Sequence, residues 1–154
     1  MTSAVLEECL VSVVAQVKAL NLTGVDNDNV VAMLVGDDQK GDGPEISGFP
    51  CVVVASGDRE SIEAVTNLRD DVTYPILVAV ISIENRANTN RDRNLLWRQQ
   101  IRTKFNQKRL PNVTGGSAWK CEVRPGQIAD RPRWLQGYHA QVQIVAVTVR
   151  EARS

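Results

Sequence analysis

The residues on this chain able to do chemistry are few and far apart. His139 is the sole histidine, so it alone could act as the base of a histidine-dependent nucleophilic site. No GxSxG elbow presents a serine to it. It begins an apolar stretch, where a lone histidine is a structural residue, and a zinc site would need partners that the sequence does not supply. Cys9, Cys51 and Cys121 form no CxxC pair. Their odd number and dispersal suit a reducing compartment, with each thiol packed as a small apolar group. Asp37, Asp38 and Asp42 crowd one loop, yet their spacing misses the calcium-loop pattern and its closing glutamate. Gly41 and Gly43 lack the lysine and helix of a phosphate-binding loop. The expectation is a non-enzyme with no cofactor and no metal.

Cations are the stronger signal. Advancing about 100° per residue from Trp97 puts Arg91, Arg98, Arg102 and Arg109 within an arc of about 40° on a helix. Lys104, Lys108 and Arg93 fall on the other flank of the apolar face. Such a ribbon can meet a nucleic-acid backbone or a partner's carboxylates. It can equally be a solvated face that pairs loosely with the acidic half of the same molecule. With two Phe and two Tyr, base stacking on a sheet is poorly served. DNA met here would be met through its phosphates, without sequence reading.

The whole chain shares this asymmetry. It has 154 residues and 18 acidic against 18 basic side chains. Met1–Asn90 carries 14 acidic and 5 basic residues, net −9, and Arg91–Ser154 carries 4 acidic and 13 basic, net +9. Opposite halves can neutralise each other within one fold or between neighbouring copies, where they set docking and register. The length predicts one domain over residues 1–154. No apolar run is longer than Ile76–Ile81, far short of a ~20-residue membrane span. Glu7 and Glu8 interrupt the first apolar stretch, which argues against a secretory signal.

The elements that would position these residues follow from periodicity. Ser3–Leu20 reads as a helix, with Val5, Cys9, Val13 and Val17 every four residues and Leu6, Leu10, Val14 and Leu20 widening the stripe. Thr2 or Ser3 is the expected N-cap. Val30–Val35 reads as a short strand and 36–48 as a mobile loop or arm rich in Asp and Gly. Phe49–Ser56 reads as a buried strand with Pro50 at its start. The polar stretch 57–71 reads as a loop with a possible turn of helix anchored by Ile62, Val65 and Leu68. Val72–Ile83 is the strongest strand. Asp92–Lys108 reads as the second helix, with Trp97, Ile101 and Phe105 as its apolar face. Leu95 and Leu96 fall off that face and call for a second contact. After a loop at 111–118, Trp119–Arg124 alternates as a half-buried strand. A loop at 125–137 precedes the last strand, Tyr138–Arg150. There Gln141 and Gln143 point one way and Ala140, Val142 and Ile144 the other. Val145, Val147 and Val149 then take over the glutamine face, which needs a cover from a helix or a neighbouring subunit.

The predicted class is α+β: a mainly antiparallel twisted sheet of four to five strands, two helices packed against it, and long loops or arms. Long loops at 36–48, 57–71, 111–118 and 125–137 suit arms that order on assembly.

This layout resembles the tail terminator and tail-completion family of tailed bacteriophages. The resemblance is carried by the Val-rich helix Val5–Leu20, by Phe49-Pro50-Cys51-Val52-Val53-Val54 after a loose arm, and by Asn67–Val72 leading into Tyr74–Ile83. Leu95–Arg102 on the second helix and His139–Arg150 on the last strand complete it. The resemblance implies a virion structural protein of the tail or neck, assembled in the host cytoplasm, with no catalysis. It implies a ring, commonly a hexamer, that caps the tail tube protein and faces the head-side connector or stopper protein, with genomic DNA in the lumen. It implies no membrane partner. Within that frame Arg91, Arg98, Arg102 and Arg109 are candidates for an inter-subunit or DNA-lumen surface, and Val145, Val147 and Val149 for an apolar contact between subunits. Two other readings stand beside it: a head-closure or stopper ring protein, and a small nucleic-acid-binding regulator that uses the basic helix at 92–108.

Overall fold

The structure, a computed structural model, describes residues 4–33, 48–57, 59–83, 91–126 and 138–152. Its elements run in the order α1 (Val5–Ala19), a 3-10 turn (Asn27–Asn29), β1 (Val30–Met33), β2 (Cys51–Ser56), β3 (Ser61–Ala64), β4 (Arg69–Ile83), α2 (Arg91–Phe105), β5 (Ser117–Pro125) and β6 (Tyr138–Ala152). The strands form one mixed, mostly antiparallel sheet in the order β1-β2-β4-β6-β5, with β3 pairing on β4 beyond the end of β2. Only β1 and β2 run parallel. The predicted class holds, with one strand more than expected. Most of 36–48 and of 125–137 lies outside the described residues, as do Asp37, Asp38 and Asp42.

The helix α1 forms as its periodicity predicts. Cys9, Leu10, Val13 and Val17 are buried, and Val5, Leu6, Val14 and Leu20 pack at the margin. Ala4 occupies the N-cap and makes no side-chain cap hydrogen bond, so the helix depends on its packing. On α2, Trp97, Ile101 and Phe105 are buried as one stripe. Trp97 donates its indole N–H to the Thr23 carbonyl at 3.1 Å. That bond lets a large aromatic sit in the core without an orphaned donor.

Both helices cover the same face of the sheet. On β6 that face is Gln141, Gln143, Val145, Val147 and Val149, in register with Val80, Val78, Ile76, Tyr74 and Val72 of β4. The glutamines therefore point inward. Gln141 Nε2 donates to the Asn94 carbonyl at 2.8 Å and Gln143 Nε2 to the Arg98 carbonyl at 3.1 Å, both on α2. The three valines continue that face under the helices and are 0% exposed. Of the two covers expected for Val145, Val147 and Val149, a helix or a neighbouring subunit, the structure supplies the first, which corrects their reading as an apolar contact between subunits: the chain's own helices and sheet seal them. Their alternation with glutamine concealed this, because the glutamine face looked like the wet one.

The opposite face of the sheet carries Val31, Met33, Ala55, Leu77, Ala79, Ile81, Val142 and Ile144, all half-buried. No described helix packs there. No helix of the described residues is long and apolar enough to cross a membrane.

Two further corrections concern 57–71 and the end of α2. The supposed loop at 57–71 holds β3 and the start of β4, paired from Ser61↔Thr73 to Ala64↔Asp70. Gly57 N–H donates to the Pro75 carbonyl at 2.8 Å, which carries the chain from β2 into β3 along the same neighbour. The three-residue spacing of Ile62, Val65 and Leu68 mimics a helical turn, but one lies on β3 and two on the hairpin turn. The second helix ends at Phe105, before the expected Lys108. Gln107 adopts a positive φ of 61°, and the chain then pairs with the outer edge of β5. Gln107 N–H donates to Cys121 O at 2.8 Å, Cys121 N–H to Lys108 O at 2.8 Å, and Leu110 N–H to Ala118 O at 3.1 Å. Those bonds cap a sheet edge that would otherwise be open.

Candidate assembly interface

The four arginines of the predicted ribbon have separate fates. Arg98 reaches inward, donating to the Val142 carbonyl at 3.1 Å and the Gly126 carbonyl at 2.9 Å. Burial lowers its pKa, with Arg102 adding to the effect. Its guanidinium ties α2 to β6 and to the chain leaving β5. A Cβ on Gly126 would collide with the Val142 carbonyl, so glycine permits this close approach. Arg102 is exposed on α2. Arg109 is exposed too, but it lies beyond the helix end. Arg91 begins α2, and its side chain falls outside the described residues. The four therefore do not form one helical ribbon; Arg98 is structural and Arg109 belongs to another surface.

That other surface is a groove of about 1050 Å³ between the C-terminal half of α1, α2 and residues 108–118. Leu20, Leu96, Leu110 and Val113 supply its apolar wall, and Lys104, Lys108 and Arg109 its cations. Leu95 and Leu96 are each 48% exposed. The second contact expected for them is not made among the described residues. The Gln100 Oε1 in the same wall is buried without a hydrogen-bond partner among the described residues. On the α1 side, Ser12 Oγ donates to the Pro111 carbonyl at 2.5 Å. The Glu8 carboxylate accepts from Thr114 N at 2.6 Å, Thr114 Oγ1 at 2.8 Å and Gly115 N at 3.2 Å. The Thr114 hydroxyl and backbone bonds hold the Glu8 carboxyl below its ordinary range. These contacts fasten 111–115 as one border of the groove.

A second exposed region is the β3–β4 hairpin, which pairs on β4 beyond the end of β2. All four residues of β3 are exposed. Ile62 is 66% exposed, Leu68 72% and Val65 42%. Glu60 and Glu63 flank Ile62 and are exposed. The hairpin base is firm. Arg150 Nε and Nη2 donate to the Asp71 carboxylate at 2.9 and 3.1 Å. The Arg150 guanidinium lies 5.6 Å from the Trp119 ring centroid, and the Thr73 and Thr148 hydroxyls bond at 3.0 Å. The Arg150 bond is the main reason that the Asp71 pKa is lowered. On the other face of the same strands, Tyr74 O–H bonds both Glu151 carboxylate oxygens at 3.1 Å.

Sequence reasoning missed this hairpin as a surface. Its signal was present: Ile62, Val65 and Leu68 are apolar residues inside an otherwise polar stretch. The cysteines behave as expected. All three are buried and free. Burial pushes the Cys9 thiol up to about 12 and the Cys121 thiol to about 11, far from a reactive thiolate. His139 sits on β6 in register with Ser82. No group of three His, Cys, Asp or Glu able to hold a metal occurs among the described residues.

No family model matches this sequence, and no curated protein matches it.

Proposed function

We propose that this chain is a structural subunit that works by self-association into a ring, of the tail-terminator or neck type that its sequence resembles. In that role it caps a phage tail tube and faces the head-side connector, and it performs no catalysis. The carrying observation is where its apolar side chains are exposed. Ile62, Val65 and Leu68 gather on the hairpin, and Leu95 and Leu96 on the outer flank of α2. Exposed apolar groups gathered in patches mark surfaces that another protein covers. The two patches differ in position and in the charges around them, so a repeating contact between them is heterologous. Such contacts close into rings when the rotation permits.

The regulator reading draws less support. Arg98 spends its donors on backbone carbonyls, and Arg109 leaves the helix. Negative-stain images of the purified chain, alone and with tail tubes, test the proposal. Rings of one size, free or seated on tube ends, are expected. A chain that stays monomeric at every concentration and ignores tubes would refute it.

A further inference from the structure

The groove beside α2 combines an apolar wall with charge of one sign. Leu96, Gln99, Gln100, Thr103 and Lys104 line it at i, i+3, i+4, i+7 and i+8, so one helical face about 12 Å long borders it. Leu20 of α1 and Leu110, Pro111 and Val113 of the chain after α2 extend the apolar wall. Its cations are Lys104, Lys108 and Arg109, and among the described residues no carboxylate lines it. None of the three cations makes an ion pair among the described residues. The Glu8 carboxylate, on the 111–115 border, is already engaged by Thr114 and Gly115.

We propose that this groove receives an amphipathic acidic helix of a different protein, with apolar side chains on the wall and carboxylates against Lys104, Lys108 and Arg109. The proposal goes beyond the ring reading, because it concerns what the subunit holds besides its siblings. Of the flank patch on α2, only Leu96 lines the groove. Apolar surface on both partners would leave water on docking. A helix laid into an apolar groove is a recurrent mode of peptide recognition, and the two-turn face of α2 gives it a matching length. The cations set the sign of the partner. Other occupants meet specific obstacles. Two copies joined groove to groove would appose three cations with three. The hairpin carries exposed Arg59 and Arg69 beside Glu60 and Glu63, so it brings no net charge to the groove. A nucleic acid would pair its phosphates with the cations but leave the apolar wall uncovered. No aromatic side chain lines the groove among the described residues to stack a base.

Two fluorescein-labelled peptides test this on the full chain. Each is about 16 residues long and helix-forming, with a leucine stripe at i, i+3, i+4 and i+7. The polar face is glutamate in one and lysine in the other. Fluorescence anisotropy should show the glutamate peptide binding at least about tenfold more tightly than the lysine peptide. Lys104→Glu with Lys108→Glu should reverse that preference, and Leu96→Ser should weaken the glutamate peptide several-fold, with circular dichroism showing both variants folded. Equal binding of the two peptides, no binding of either, or an unchanged preference in the charge-reversed variant would overturn the proposal. A DNA duplex that displaces the glutamate peptide would overturn it too. Sedimentation of the unmodified chain, with and without the glutamate peptide, tells this proposal from the ring reading. If the chain stays monomeric yet binds the glutamate peptide with this charge dependence, the groove assignment stands and the ring falls. If the peptide dissolves an oligomer, the groove belongs to a sibling: the proposal falls and the ring reading stands.

Discussion

The helix-covered face of the sheet and the two exposed apolar patches, on the β3–β4 hairpin and on the outer flank of α2, use the same kinds of residue to opposite ends. Under the helices, polar groups are consumed. Gln141 and Gln143 bond α2 carbonyls, and Arg98 returns two bonds to the strand side. Valines fill the rest, and nothing there remains for a neighbour. At the patches, Leu68 is 72% and Leu96 48% exposed, and nothing among the described residues covers them. Folding is completed by the first region and leaves the second unfinished. Perturbing the covered face should therefore cost stability, and perturbing the patches should cost assembly.

The largest expected effect belongs to the covered face. Trp97→Ala should destabilise the chain by about 3–5 kcal/mol, through the cavity and the lost bond to Thr23, measured by urea unfolding. A loss below about 1 kcal/mol would show that α2 is not part of a cooperative core. Next comes a contrast inside the arginine set. Arg98→Ala should cost about 2 kcal/mol, because two charge-assisted bonds to part-buried backbone carbonyls disappear. Arg102→Ala, at an exposed position with no such bond among the described residues, should stay within about 0.5 kcal/mol. Equal effects would erase the distinction drawn between them.

A smaller effect should appear with pH. The Glu8 carboxyl is held below its ordinary value of 4.5 by the Thr114 and Gly115 bonds. A lowered folded-state pKa means that stability is fully present above the unfolded value and drains away as pH falls through the folded one. Asp71, held by Arg150 below its ordinary 3.8, acts in the same direction. Unfolding curves should show declining stability as pH drops below about 4.5, with a shallower decline in Glu8→Gln. An unchanged decline would remove Glu8 from the account. The smallest effect on the fold is expected at the hairpin. Leu68→Ser should move stability by less than about 0.5 kcal/mol while weakening self-association by roughly tenfold or more.

Much of this architecture was legible from the chain alone. The four-residue recurrence in Val5–Val17 and the Trp97–Phe105 stripe located both helices and their buried faces, since a helix core is written in local periodicity. What was lost depends on partners distant in sequence. Gln141 and Gln143 look like surface residues until α2 is laid across them, so periodicity alone leaves the valines beyond open to cover by a helix or by a neighbour. The hairpin was obscured because β3 is short, exposed and paired on one side only, which leaves no alternation to read. The last turn of α2 was overextended because Lys108 and Leu110 suit a helix, yet their backbone groups gain partners on β5 instead. The acidic and basic halves were visible as a count. The strand order interleaves them, since β6 of the basic half pairs along its length with β4 of the acidic half.

One measurement reaches the centre of this account. The unaltered chain and Leu68→Ser with Leu96→Ser, both at exposed positions, are sedimented over the same range of concentrations. The unaltered chain should form a closed oligomer of one size, and the variant should stay folded and monomeric. A monomeric unaltered chain, or a variant that assembles as well as the unaltered one, would contradict the account.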